Sequence, residues 1–105
     1  MKSAITNPTP IEEPQLVSIH IICYNQAEFV RQALVSAIEQ TYPNLEIIIA
    51  DDCSTDATRE VIEQVLEAYP VAHVIKIFNQ KNLGITQNSN VALSRCKGEF
   101  IAFMG

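Results

Sequence analysis

The stretch Ile47-Ile48-Ile49-Ala50-Asp51-Asp52-Cys53-Ser54-Thr55-Asp56 constrains this chain more than any other. An apolar run stops abruptly at two adjacent carboxylates, passes through small polar residues and a further acid, and gives way to a helical pattern. A continuous apolar run of that length reads as a buried strand, and the carboxyl ends of strands in open α/β sheets are where ligands bind. The rest of the chain is placed relative to that edge.

Upstream, Leu16-Val17-Ser18-Ile19-His20-Ile21-Ile22-Cys23 is a second β-rich run, too continuous for a strand with one wet face and suited to a buried parallel one. Asn25 with Glu28 three residues on has the form of a helix start, with Asn25 as the cap. Ala27, Val30, Leu34, Ala37 and Ile38 then recur at helical spacing, and the helix ends before Pro43. Leu45 to Ala50 is the next strand. Ser54, Thr55 or Asp56 caps a second helix whose apolar face is Val61, Ile62, Val65, Leu66 and Tyr69, stopped by Pro70. Val71 to Phe78 reads as a strand, Thr86 to Arg95 as a shorter helix, and Glu99 to Met104 as a last strand.

This β-α-β-α-β-α-β alternation predicts a Rossmann-like parallel sheet with helices on both faces and strand order 3-2-1-4. The ends of the first, second and fourth strands are then expected to line one crevice. Residues 1–15, with Pro8, Pro10 and Pro14, read as a flexible leader, and residues 16–105 as the domain. Gly105 follows the last strand directly, where a loop is expected to begin, so the chain reads as the first portion of a longer domain.

Composition narrows the partners. Hydrophobic residues make up 48% and charged ones 18%, a globular balance rather than a disordered one. Twelve acids against 7 bases leave a net charge of −5, and no Lys/Arg cluster exists, which argues against a nucleic-acid surface. A phosphate ligand would have to meet backbone N–H groups or a metal. Cys23, Cys53 and Cys96 lie far apart without metal-ligand spacing and read as reduced thiols in a cytoplasmic setting. Neither a signal-peptide pattern nor an apolar run of about 20 residues is present.

Several residues carry two readings. Asp51 and Asp52 point to opposite sides by strand alternation, so they do not act as one pair. They are either solvated or capping acids, or one of them accepts hydrogen bonds from a ligand N–H of the kind nucleobases offer. Tyr24 is a rim aromatic or, beside that carboxylate, half of a base pocket. Asn82-Leu83-Gly84-Ile85-Thr86 offers helix N–H groups to a phosphate or is a plain loop with Gly84 at positive φ. His20 reads as a core or sheet-face residue and His73 as structural or exposed, with no second His at metal-ligand spacing. The glycine-rich dinucleotide loop, the P-loop and the hydrolase nucleophile elbow are all absent.

Four segments together resemble family 2 glycosyltransferases. Val17 to Asn25 resembles their first-strand V-S-I-I-I-P-T-Y-N segment, and Ile48 to Asp56 their V-V-D-D-G-S-T-D segment. Asn82-Leu83-Gly84 with Asn90, then Lys97-Gly98-Glu99-Phe100-Ile101-Ala102-Phe103, is similar to N-x-G…N…G-E-Y-I-x-F. The chain departs from the pattern at Ile22-Cys23, at Cys53 in place of Gly, and at Ser89 in place of Arg.

The resemblance implies a GT-A fold that binds a nucleotide-diphosphate sugar donor, with Tyr24 packing on a uracil-type base and Asp52 hydrogen-bonded to it. Asn25 and Asp51 match neighbouring motif positions, and Asn82 and Gly84 are expected as phosphate or loop contacts. It also implies that the Mg²⁺ or Mn²⁺ motif, the catalytic base and the site for a saccharide or lipid-linked acceptor lie beyond Gly105. The chain is thus expected to hold a nucleoside half-site, to bear no catalytic or metal residue of its own, and to be inactive alone. Its parent is expected in the cytoplasm or at the inner face of the membrane. A sugar nucleotidyltransferase, a receiver-like module and a nucleotide-binding module are the competing readings. The first would carry a basic glycine-rich loop where Tyr24-Asn25-Gln26 stands, and the second would place its acid pair near the start of the fold.

Overall fold

A computed structural model of the protein describes residues 14–70 and 72–104. Residues 1–13 of the expected leader lie outside them, as do Val71 and Gly105. Seven elements follow in order: β1 (Val17–Cys23), α1 (Ala27–Ile38), β2 (Leu45–Asp51), α2 (Thr58–Ala68), β3 (Val74–Phe78), α3 (Ile85–Arg95) and β4 (Phe100–Met104). The strands form one sheet in the order β3-β2-β1-β4, with every neighbouring pair parallel. This is the expected 3-2-1-4 arrangement.

The continuous apolar runs are explained by where the strands lie. β1 and β2 occupy the centre of the sheet, with helices on both sides, so alternate residues on each face are buried. Ile19, Ile21, Ile47 and Ile49 face α1 and α2, where they pack with Val30, Leu34, Val61, Ile62 and Val65. Ile48 and Ala50 face the other way, onto Ala92 of α3. The α1/α2 layer therefore carries the larger core.

Three local expectations are corrected. β3 starts at Val74 instead of Val71, because the chain leaving α2 first makes a turn in which Ala72 N–H donates to Tyr69 O at 3.1 Å. Asn25 does not cap α1: Gln26 occupies the cap position and no side chain caps it. Ala57 caps α2 without a side-chain bond, although the Asp56 carboxylate reaches Thr58 N–H at 2.9 Å. The Pro14 and Gln15 carbonyls accept bonds from the Asn44 amide (2.8 Å) and the Tyr42 hydroxyl (2.5 Å), which tie the residues before β1 to the loop before β2.

The edge of the sheet opposite the strand ends is tied by buried polar groups. Glu46, 1% exposed, accepts hydrogen bonds from the Ser18 hydroxyl and from Lys97 N–H, both at 2.6 Å. The Ser18 hydroxyl oxygen in turn accepts from Gly98 N–H at 2.8 Å, and Glu99 N–H donates to Leu16 O at 2.9 Å. These bonds set the α3–β4 turn against β1 and so determine the register of β4. Gly98 is required there by close approach. A Cβ at that position would stand 2.7 Å from Ser18 N and 2.8 Å from Leu16 O, both backbone atoms that cannot give way cheaply.

Gly98→Ala is accordingly expected to lower stability by about 1–3 kcal/mol, the usual range for overpacking a tight site. Urea unfolding would register this as a lower midpoint at constant slope. An unchanged midpoint would contradict the packing described.

Candidate functional site

The loops after β1 and β2 are zipped together. Asn25 takes a left-handed backbone (φ 51°), and its side-chain oxygen accepts from Thr55 N–H at 2.8 Å and Asp56 N–H at 3.3 Å. In return, Asn25 N–H donates to the Ser54 hydroxyl at 2.8 Å and Gln26 N–H to the Thr58 hydroxyl at 2.9 Å. Loop donors that would otherwise face water or each other are thereby satisfied. Asn25 serves this zipper in place of the helix cap it resembled. Cys53, also left-handed (φ 66°), sits at the turn where the similar family segment has Gly, a residue with no steric penalty in that conformation.

The two carboxylates diverge. Asp51 is fully buried and turns toward α2, where it accepts from Ser54 N–H (3.0 Å), the Ser54 hydroxyl and Arg59 Nε (3.0 Å). The Arg59 guanidinium also donates to Asn79 O at 2.6 Å and lies 4.9 Å from the Phe78 ring centre. It therefore joins α2 to the ends of β2 and β3. Burial, followed by the Asp51 charge and hydrogen bond, pushes the Cys23 thiol far above its ordinary pKa. Cys23 is therefore a neutral thiol rather than a nucleophile.

Asp52, 3% exposed, turns the other way, toward the segment that leads into α3. Its Oδ1 accepts from Leu83 N–H at 2.8 Å and the Asn79 amide at 2.9 Å, and its Oδ2 accepts from Gly84 N–H at 2.9 Å. Burial by itself raises the Asp52 pKa; the bonds from Leu83, Asn79 and Gly84 together outweigh it and hold the carboxyl below 3.8. The Asn82 amide donates to Asp52 O at 3.1 Å. Gly84, at φ 93° with open space where a Cβ would be, is required by its backbone angle, not by crowding. Asn82 and Gly84 thus sit against Asp52, and the Gly84 N–H is engaged by that carboxylate.

A cleft of about 470 Å³ opens at these strand ends, within the range of small-molecule sites. Ile22 and Cys23 line it from β1, Tyr24 and Gln26 from the following loop, Asp52 from the end of β2, and Ile85 and Asn88 from α3. Tyr24 and Ile85 are 44% and 80% exposed, leaving apolar faces open beside a buried anionic acceptor. Of the four residues singled out in the sequence for nucleotide binding, the fold brings Tyr24 and Asp52 to this cleft, while Asn25 and Asp51 support its loops. The described part of β4 does not line this cleft. Its pairing with β1 ends at Ile21↔Met104, two residues short of Cys23.

Asn79 and Asn88 were not singled out in the sequence. Asn79 donates both to Asp52 and to the Asn88 side-chain oxygen (2.8 Å), and Asn88, 2% exposed, donates to Ala50 O at 3.1 Å. Nothing in the polar run Asn79-Gln80-Lys81-Asn82 distinguishes Asn79; only the fold places it against Asp52. Asn88 alone carried a signal, as a polar residue on the side of α3 that packs against the sheet. His20, 2% exposed, lies 3.3 Å from Ser89 O and edge-on to Phe103, in a structural setting.

No group of three His, Cys, Asp or Glu side chains converges among the described residues. Asp51 and Asp52 are engaged by protein donors and do not fit a divalent ion. The arrangement suits a planar ring that stacks on one face and offers an N–H at its edge.

The family model for Glycosyl transferase family 2 matches residues 18–105. The chain is 40% identical over 90 residues to the Escherichia coli UDP-Glc:alpha-D-GlcNAc-diphosphoundecaprenol beta-1,3-glucosyltransferase WfaP, covering 86% of this chain and 34% of that protein. It is 39% identical over 97 residues to the chondroitin synthase of Pasteurella multocida, covering 88% and 10% respectively. Among solved structures, the Pyrobaculum calidifontis mannosyltransferase PcManGT in complex with GDP-Man and Mn²⁺ superposes with a TM-score of 0.79 at 26% identity, over 85% of this chain and 26% of that one. Staphylococcus aureus TarS 1-349 in complex with UDP superposes at 0.74 and 28% identity, with the same coverage. The chain spans between 10% and 34% of the length of these relatives. With the match running from β1 through β4 and the fold in agreement, this chain belongs to Glycosyl transferase family 2.

Proposed function

We propose that this chain forms the donor-nucleoside half-site of a glycosyltransferase that moves a sugar from a nucleotide-diphosphate donor to an acceptor hydroxyl. The observation that carries the reading is the cleft in which the exposed Tyr24 ring stands beside the buried, ionised Asp52. Tyr24 stacks on the base, and Asp52 accepts its ring N–H. Asp51, Asn25, Ser54 and Arg59 hold the two loops that carry them, and Asn82 and Gly84 hold the loop leading into α3.

Relatives crystallised with UDP, UDP-GlcNAc and GDP-Man support a nucleotide-sugar donor. The solved structure of PcManGT holds Mn²⁺, which supports a divalent metal in the parent enzyme. Such a metal would neutralise the departing diphosphate, and a carboxylate elsewhere in the parent would deprotonate the acceptor. Three unpaired cysteines support a cytoplasmic setting. The chain by itself is expected to bind donor nucleotide and to transfer no sugar, because no side chain among the described residues is placed to do that chemistry.

Calorimetric titration with UDP tests the site. Tyr24→Ala is expected to weaken binding about tenfold, as loss of one base–aromatic stack does. Asp52→Asn is expected to weaken it at least as much, while Lys76→Ala, in a surface pair with Glu63, leaves it unchanged. Equal binding by all four proteins would remove the base-site reading.

Asp52 also has a pH signature. Its folded pKa lies below its unfolded one, so its stabilising contribution is fully present above the unfolded value of 3.8 and is lost as pH falls through the folded value. Asp52→Asn, which sets an amide against a buried N–H, is expected to cost about 1–3 kcal/mol near neutral pH. Urea unfolding from pH ~7 to ~3 should show the gap between the two proteins closing toward the acid end. A gap independent of pH would mean that Asp52 is not held as an anion by these bonds.

A further inference from the structure

Solved relatives differ in the base they hold, one with UDP and another with GDP-Man. The hydrogen-bond inventory of Asp52 discriminates between them. An ionised carboxylate has about four lone-pair sites. Asn79 and Leu83 occupy both sites of Oδ1, and Gly84 occupies one site of Oδ2. One acceptor site remains, on Oδ2.

Asn79 cannot easily swing away from this arrangement. Its N–H donates to Asp51 O at 3.0 Å, and its carbonyl accepts from Arg59 at 2.6 Å. Its side-chain amide spends one hydrogen on Asp52 and the other on Asn88. It does not line the cleft and acts on it through Asp52 and Asn88.

Guanine presents two adjacent donors, N1–H and the exocyclic N2–H, and a carboxylate that meets both needs an open site on each oxygen. Uracil and thymine present one donor, N3–H, between two carbonyls. Asn88, which does line the cleft, uses one amide hydrogen on Ala50 O and has a second to offer such a carbonyl. We infer that Asn79 is a specificity-determining positioning residue: by sharing Oδ1 with Leu83 it makes Asp52 a one-donor acceptor and selects uridine- or thymidine-type donors over guanosine ones. The inference rests on the reading of Tyr24 and Asp52 as the base-binding pair. Guanine in this cleft would bury a donor with no acceptor, and uracil would not.

The test is the affinity of the purified chain for UDP and for GDP, measured by calorimetry on the wild type and on Asn79→Ala, with Asp52→Asn as control. The wild type is expected to bind UDP at least about tenfold more tightly than GDP, the discrimination one unpaired buried donor provides. In Asn79→Ala, checked for native circular dichroism, UDP affinity should fall and the UDP:GDP ratio should move toward unity. A purely structural Asn79 would change stability and leave that ratio where it was.

A wild type that binds GDP as well as UDP overturns the inference, whether or not the variant folds. So does a folded Asn79→Ala protein with an unchanged ratio while Asp52→Asn loses UDP, and in that case the base site itself stands. Binding of neither nucleotide to the wild type overturns the base site and the selectivity together.

Discussion

The carboxylate of Asp52 is the group on which the cleft depends. It lies at the end of a central strand, almost without solvent contact, and its neighbourhood is organised to keep it charged. An isolated buried carboxylate would take up a proton; three donors from one segment, the Leu83 and Gly84 N–H groups and the Asn79 amide, reverse that tendency. The dependence is mutual. The chain between β3 and α3 is held at the sheet by Asp52 through Leu83 and Gly84, alongside the bonds of Asn79 to Asp51 O and Arg59 and of Asn88 to Ala50 O. One interaction thus shapes the cleft wall and leaves a charged acceptor facing the cleft.

The sheet makes that placement stable. Its inner strands are gripped on both faces, with Ile19, Ile21, Ile47 and Ile49 under α1 and α2 and Ile48 and Ala50 under α3. At the far edge, Glu46, Ser18 and Gly98 tie the α3–β4 turn to β1 through buried polar bonds. At the near edge, Asp51 and Arg59 join α2 to the ends of β2 and β3. Recognition groups then project from strand ends whose backbones have little freedom, the arrangement that favours a preformed site.

Much of the fold was legible because burial on both faces of a parallel sheet leaves a simple mark: unbroken apolar runs separated by helical spacing. The parallel sheet followed from the alternation, with 3-2-1-4 as its expected order, and the divergence of Asp51 and Asp52 from strand geometry. What stayed hidden depends on contacts between segments distant in the chain. Asn25 looks like a helix cap because a cap and an inter-loop bridge use the same short amide, and only the approach of Thr55 and Asp56 separates the two. Glu46 gives no sign of being a buried clamp, since its partners lie at Ser18 and Lys97. Asn79 is one polar residue among four until the fold sets it against Asp52. The start of β3 was missed because Ala72, apolar enough for a strand, instead bonds back to Tyr69 at the end of α2.

The claim that Asp52 is an anion held by loop donors and open to one more is tested most directly at those donors. In amide NMR spectra of the free chain, the Leu83 and Gly84 N–H groups should resonate downfield and exchange slowly with solvent, as charge-assisted bonds to a buried carboxylate require. Addition of UDP should shift both, along with Tyr24, while leaving Lys97 and Gly98 at the opposite edge of the sheet unmoved. Rapid exchange at Leu83 and Gly84, or a UDP response that bypasses them, would contradict the account.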